Sequence, residues 1–154
     1  MRNILSVLVE NEAGVLARIS GMFSRRGYNI DSITVGPSEI PGLSRMIIVT
    51  ALEDVEQIQK QLHKLINTIK VTNLSELDFV DRELALLKVA SKAHRPEVIE
   101  IANLFRCRII DVADDTLIIE AIGDNEKINA IIQILKPYGI KEVARTGSIA
   151  MSRK

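Results

Sequence analysis

Apolar positions along this chain follow two periods in turn. Residues 3–10 (NILSVLVE) are a β-rich run bounded by polar residues and predict a strand. Over 14–26, Val15, Leu16, Ile19, Met22 and Phe23 fall at offsets 0, 1, 4, 7 and 8, which is one stripe of a helix. Gly27, after the basic pair Arg25-Arg26, stops it. Residues 28–36 (YNIDSITVG) predict a second strand. The breaker-rich PSEIPG (37–42) is a turn, and 43–51 (LSRMIIVTA) a third strand that forms a hairpin with the second. Val55, Ile58, Leu62, Leu65 and Ile66 mark a second amphipathic helix over 54–67, and 69–79 predicts a fourth strand. The order is βαββαβ, that of the ferredoxin-like fold.

The second half repeats the order. Residues 82–91 predict a strand. A helix over 95–105 has Val98, Ile101, Ala102 and Phe105 on one face, with Pro96 near its start. CRIIDVA (107–113) and TLIIEAIG (116–123) flank the turn Asp114-Asp115. A helix over 124–136 carries Ile128, Ile131, Ile132 and Leu135, with Asp124 as its N-cap. Residues 139–153 close the half as one long or broken strand. The halves are alike in pattern, not in sequence, and no linker separates them. The expected fold is α+β, two ferredoxin-like βαββαβ domains, the first over 1–78 and the second over 79–154. Each half has its own apolar stripes, so residues 1–77 are expected to fold without the rest.

Composition narrows the functions. The chain has 154 residues, 47% of them hydrophobic but only 3% aromatic, so the core is built from Ile, Leu, Val and Ala. Twenty basic side chains balance 20 acidic ones, and each half balances by itself. No segment offers the basic footprint of a nucleic-acid or anionic-membrane partner. The single cysteine, Cys107, rules out an internal disulfide and agrees with a reducing compartment. The apolar run in MRNILSVLVENE is too short for a signal peptide, and no stretch approaches the roughly 20 apolar residues of a membrane span. The expected location is the cytoplasm.

Chemistry is scarce. His63 reads as a boundary residue on a helix and His94 as a loop residue; Cys107 reads as a buried strand cysteine, although Arg106 and Arg108 flank it. CxxC, HExxH, GxSxG, Walker A and GxGxxG are all missing. Asp114 and Asp115 suit a turn better than a metal, which needs more convergent oxygens. No catalytic residue and no metal ligand is assigned. The informative segment is VENEAGVLARIS (9–20). Gly14 opens the first helix without a Cβ, and the N–H groups of Ala13, Gly14, Val15 and Leu16 point along its start, where an anion such as a carboxylate binds. The alternative is a tight βα turn capped by Asn11. Asn29, in Tyr28-Asn29-Ile30, offers an amide donor and acceptor, or shapes a turn. Helix N–H groups for a carboxylate, amide oxygens for an ammonium and an aliphatic pocket would together receive an α-amino acid.

SVLVENEAGVLARISGMFSRRGYNIDSITVGPSE followed by LSRMIIVTA resembles the N-terminal ACT domain of acetolactate (acetohydroxyacid) synthase small subunits. FRCRIIDVADDTLIIEAIGDNEKINAIIQIL and EVARTGSIAMSR resemble the C-terminal domain and ending of the same family. The resemblance covers about residues 2–153, and ENEAGVLARISG, FSRRGYNIDS and LSRM carry most of it. It implies a homodimer through paired ACT domains, with effector sites at their interface. Carried over, one chain contributes Asn11, Glu12, Ala13, Gly14, Val15 and Leu16, and the other Asn29 and Ile30. It implies valine as effector and a separate catalytic large subunit bearing thiamin diphosphate, Mg²⁺ and FAD. This chain itself carries no cofactor and no active site; its implied role is activation of the large subunit and its feedback inhibition. The loop GPSEIPGL and residues around 90–104 depart from the family pattern. Rival readings lack their marks: a transcriptional sensor needs a DNA-binding element, an RNA-binding sheet needs paired aromatics, and an enzyme needs a catalytic set.

Overall fold

A computed structural model describes residues 2–51 and 53–154. The order is β1 (Asn3–Glu10), α1 (Val15–Arg25), β2 (Ser32–Pro37), β3 (Leu43–Thr50), α2 (Val55–His63), β4 (Thr68–Asn73), β5 (Phe79–Ala90), α3 (Arg95–Leu104), β6 (Arg108–Val112), β7 (Thr116–Gly123), α4 (Asn125–Leu135), β8 (Ile140–Arg145) and β9 (Ile149–Ser152). Single 3-10 turns cover Leu74–Glu76 and Lys136–Tyr138. Both sheets are antiparallel and have the ferredoxin-like strand order, β2-β3-β1-β4 and β6-β7-β5-β8, with β9 pairing β5. The fold is two βαββαβ domains, as the periodicity predicts.

Two compact units result: the chain up to Val80 together with Ser148–Lys154, and Asp81–Gly147. In the first, alternate residues of β1, β3 and β4 meet the stripes of both helices. Leu5, Val7, Val9, Met46, Ile48 and Val71 pack on Val15, Ile19, Met22, Phe23, Ile58 and Leu62. In the second, Ala85, Leu87, Val89, Leu117, Ile119 and Ala121 meet Val98, Ala102, Ile128, Ile131 and Leu135. Asp54 and Asp124 cap α2 and α4, each accepting a hydrogen bond from a backbone N–H three residues on.

Several expected boundaries move. The strand expected over 28–36 begins only at Ser32, because Tyr28 N–H still bonds the Phe23 carbonyl at 2.9 Å and its ring packs edge-on against Phe23. The helix expected over 54–67 ends at His63. The strand expected over 69–79 breaks after Asn73, whose side chain accepts the Ser75 N–H at 3.1 Å and turns the chain. The closing run 139–153 splits into β8 and β9. β9 leaves the second unit for the first: Ala150 is buried with Ile4, Ile47, Val49 and Leu74 on the sheet face away from the helices. A 1–77 fragment would leave that apolar patch without Ala150 and Phe79 above it.

Candidate functional site

The loop between β1 and α1 is built around a helix that starts without a cap. Gly14 sits at the N-cap position with φ +86, a left-handed conformation that costs an L-residue about 1–2 kcal/mol, and no side chain bonds the helix start. A Cβ placed there would meet nothing within 4 Å, so the requirement for glycine is conformational and the space above it is open. Asn11 does not cap the helix; its N–H bonds the Gly42 carbonyl at 2.9 Å and its side chain is exposed. Val15 N–H reaches the Glu12 carbonyl at 3.4 Å, and its side chain is buried in the core. Among the described residues, no acceptor takes the N–H groups of Ala13, Gly14 or Leu16. These donors open onto solvent at the positive end of α1, where a negative group is favoured. Leu16, 47% exposed, is the apolar neighbour of the opening.

A buried amide holds this loop in place. Asn67, between α2 and β4, is 6% exposed. Its Nδ2 donates to Glu10 Oε2 at 3.1 Å and to Glu12 Oε2 at 3.2 Å, and its Oδ1 accepts from Arg18. Its carbonyl takes the Glu10 N–H at 2.9 Å. One side chain thus ties the end of β1, the loop and the first turn of α1. Sequence reasoning missed Asn67 and Arg18. An asparagine after a helix is common, and no spacing rule joins residues 10, 12, 18 and 67; only folding brings them together.

Asn29 and Ile30 lie elsewhere. Asn29 is exposed, its Nδ2 only 3.5 Å from Asp31 Oδ1, and its carbonyl accepts the Thr50 hydroxyl at 3.0 Å. Thr50 pairs with Asn3, at the start of β1, whereas Gly14 follows Glu10, at its end. The sheet therefore separates Asn29 from the Gly14 loop by the length of the eight-residue β1, roughly 23 Å at the usual rise. The structure joins residues 11–16 into one opening and puts Asn29 and Ile30 at the far end of the same sheet.

Elsewhere the chemistry is bland. His63 is exposed; His94 precedes α3 with its ring edge-on to Tyr138 and its Nδ1 3.8 Å from Glu97. Cys107 lies just before β6, half-buried, and burial pushes its thiol pKa up, away from the reactive thiolate. Among the described residues no group of three or more His, Cys, Asp or Glu could hold a metal ion.

Comparison with known proteins agrees on one family. The profile of the AHAS small subunit-like ACT domain matches residues 5–70, and that of the small subunit of acetolactate synthase matches residues 82–154. The acetolactate synthase small subunit of Mycolicibacterium smegmatis is 52% identical over 152 residues, 97% of this chain and 89% of that one. That of Aquifex aeolicus is 48% identical over 157 residues, 99% of this chain and 82% of that one. Among solved structures, the acetolactate synthase small subunit from Thermotoga maritima superposes with a TM-score of 0.90 at 43% identity, covering 100% of this chain and 98% of that one.

Proposed function

The chain belongs to the acetolactate synthase small-subunit family, and on that premise we propose that it is a non-catalytic regulatory subunit. It activates a separate catalytic large subunit and makes that activity answer to valine, as feedback in branched-chain amino acid biosynthesis. Thiamin diphosphate, Mg²⁺ and FAD belong to that partner, and their condensation chemistry takes place there. Residues 1–78 bind the effector and dimerise; 79–154 form the C-terminal domain, with Ser148–Lys154 returning to the first unit. The complex works in the cytoplasm; no helix among the described residues is long and apolar enough to cross a membrane.

One observation carries the effector site. The start of α1 leaves its donors open, while the complementary residues Asn29 and Ile30 sit at the other end of the sheet. A single chain cannot close such a site, but a two-fold pair can. β2 is an edge strand running from Ser32, opposite Val49, to Pro37, opposite Ser44 at the Gly14 end. Antiparallel pairing of two β2 edges sets the start of one β2 beside the end of the other. Asn29 and Ile30 of one chain then approach the Gly14 loop of its partner, and both exposed edges are removed. The valine carboxylate meets the N–H groups of Ala13, Gly14 and Leu16. The ammonium meets the Asn29 amide oxygen and the negative field of Glu12, and the isopropyl group lies against Leu16 and Ile30. Inhibition is then a coupling free energy, typically about 1–3 kcal/mol, between valine and the less activating arrangement of the complex.

The test is activity of the reconstituted enzyme against valine concentration. Gly14→Asp puts a carboxylate where the effector's own would bind, and Asn29→Ala removes its partner; the latter should weaken valine about 10- to 150-fold. Both should still activate the large subunit. Unchanged inhibition in both folded variants discards the site, and a monomer by light scattering with valine present discards the shared interface.

A further inference from the structure

The first sheet is covered by helices on one face only. On the other, Ile4, Ile47 and Val49 lie under Leu74, Phe79 and Ala150. Beyond that cover the same face continues into Ser6, Leu8, Arg45, Lys70 and Thr72, which pair across β3, β1 and β4. They floor an open groove of about 410 Å³. Leu77 and Met151 border it and are 47% and 64% exposed, so the chain leaves apolar walls uncovered.

The groove has a sign. Among the described residues its lining holds one carboxylate side chain, Glu39, whose two oxygens take Arg45 Nη1 and Nη2 at 2.9 and 3.0 Å. The bidentate guanidinium pushes the Glu39 pKa down to about 2, so this pair stays ionised and internally neutral. Lys70 and Lys154 line the groove, and among the described residues neither has a carboxylate side chain in ion-pair distance. A positive channel with aliphatic walls fits an acidic chain segment that also carries an aliphatic side chain.

We infer that this groove docks an acidic segment of the catalytic partner along β1 and β4. The inference rests on the regulatory-subunit reading. The groove shares its two strands with the effector loop: the rung Leu8–Lys70 is followed by a bulge between Leu8 and Val9, then by the Glu10 N–H to Asn67 carbonyl bond. A docked segment and an occupied loop act on the same pair of strands from neighbouring positions.

Lys70→Glu reverses the exposed charge, Lys70→Arg keeps it, and Met151→Asp puts a carboxylate on the apolar border. Each full-length chain is titrated into the cognate large subunit at low and high salt. Valine binding to the chain alone is measured by calorimetry, and the thermal midpoint is recorded. Lys70→Glu should raise the concentration for half-maximal activation about tenfold, more at low salt, and Met151→Asp should raise it too. Lys70→Arg should stay within about twofold of the original. Valine binding and the midpoint should not move. Unchanged half-activation in a folded Lys70→Glu or a folded Met151→Asp chain overturns the inference while leaving the regulatory reading intact. An original chain that fails to activate the large subunit at all overturns the regulatory reading, and this inference with it.

Discussion

In the first unit Glu10 N–H bonds the Asn67 carbonyl and Asn11 N–H the Gly42 carbonyl; in the second, Ala90 N–H bonds the Gly139 carbonyl and Ser91 N–H the Asp115 carbonyl. Arg18 N–H to Gly14 likewise has its counterpart in Val98 N–H to His94. Even the bulge recurs, between Leu8 and Val9 and between Lys88 and Val89. By these bonds Gly14 corresponds to His94 and Leu16 to Pro96. The backbone frame is therefore the same, and its contents are opposite. At the second position Arg95 crosses the opening, donating to Ser91 Oγ and the Asp114 carbonyl at 3.0 Å and to the Ala113 carbonyl. Pro96 has no N–H to offer. Where Asn67 braces the first loop, the second has Gly139, which a Cβ would bring to 3.4 Å from the Ala90 Cβ. The shared fold supplies a place for a ligand, and the loop residues decide whether the place is open.

The units also differ in what holds their central strands. Glu83, 4% exposed, takes Arg145 Nε at 2.6 Å and Nη2 at 3.2 Å. The matching residues of the first unit are Asn3 and Asn73, since Leu5 pairs with Asn73 as Ala85 pairs with Arg145. Arg145→Ala strands a buried carboxylate and should cost about 3 kcal/mol. Asn73→Ala should cost only about 1 kcal/mol, the usual worth of a neutral hydrogen bond. Equal losses in chemical denaturation would erase this contrast.

The next largest effect separates the two loops. Asn67→Ala leaves Glu10, Glu12 and Arg18 without their common partner. It should destabilise the chain by about 2 kcal/mol and weaken valine binding, because the loop loses its anchor. Gly139 has φ +99, so Gly139→Ala should cost about 1 kcal/mol and leave valine binding alone. An effect on valine from Gly139→Ala, or none from Asn67→Ala, would break the assignment of the site to the first loop.

Smaller still is the difference at the helix starts. Gly14→Asp forces a side chain into a left-handed residue and should cost about 1 kcal/mol beside its valine resistance. His94 has φ −133, so His94→Asp should be neutral to within about 0.5 kcal/mol and change no valine response. The slightest effect is an acid-range pH dependence from the Glu39–Arg45 pair of the first unit. The Arg45 hydrogen bonds hold Glu39 at about 2 against an ordinary 4.5. A depressed carboxylate stabilises above its unfolded pKa and loses that contribution as pH falls through the folded one, so the Glu39–Arg45 contribution should fade between about pH 4.5 and 2. An NMR titration of Glu39 should follow this, and Arg45→Ala should return it towards 4.5.

The order of elements was legible because it is local. Val15, Ile19, Met22 and Phe23 recur at helical spacing, and all four are buried. The same rule misled at Leu16, which shares the stripe but lies half exposed at the helix start. Gly14 and the residues around it could be picked out from a glycine opening a helix. Their role as an uncapped, unfilled helix start needed the observation that no side chain returns to satisfy it.

What tertiary structure alone decided was every relation that skips along the chain. Asn67 beneath Glu10 and Glu12, Ala150 on Ile4 and Val49, and Asn29 a whole strand away from Gly14 leave no periodic trace, because a hydrophobic period reports which face is apolar and not what lies upon it. Two units with one pattern of apolar residues could therefore be foreseen as one fold, while the amide that braces one loop and the arginine that closes the other depended on contacts that only the packed chain makes.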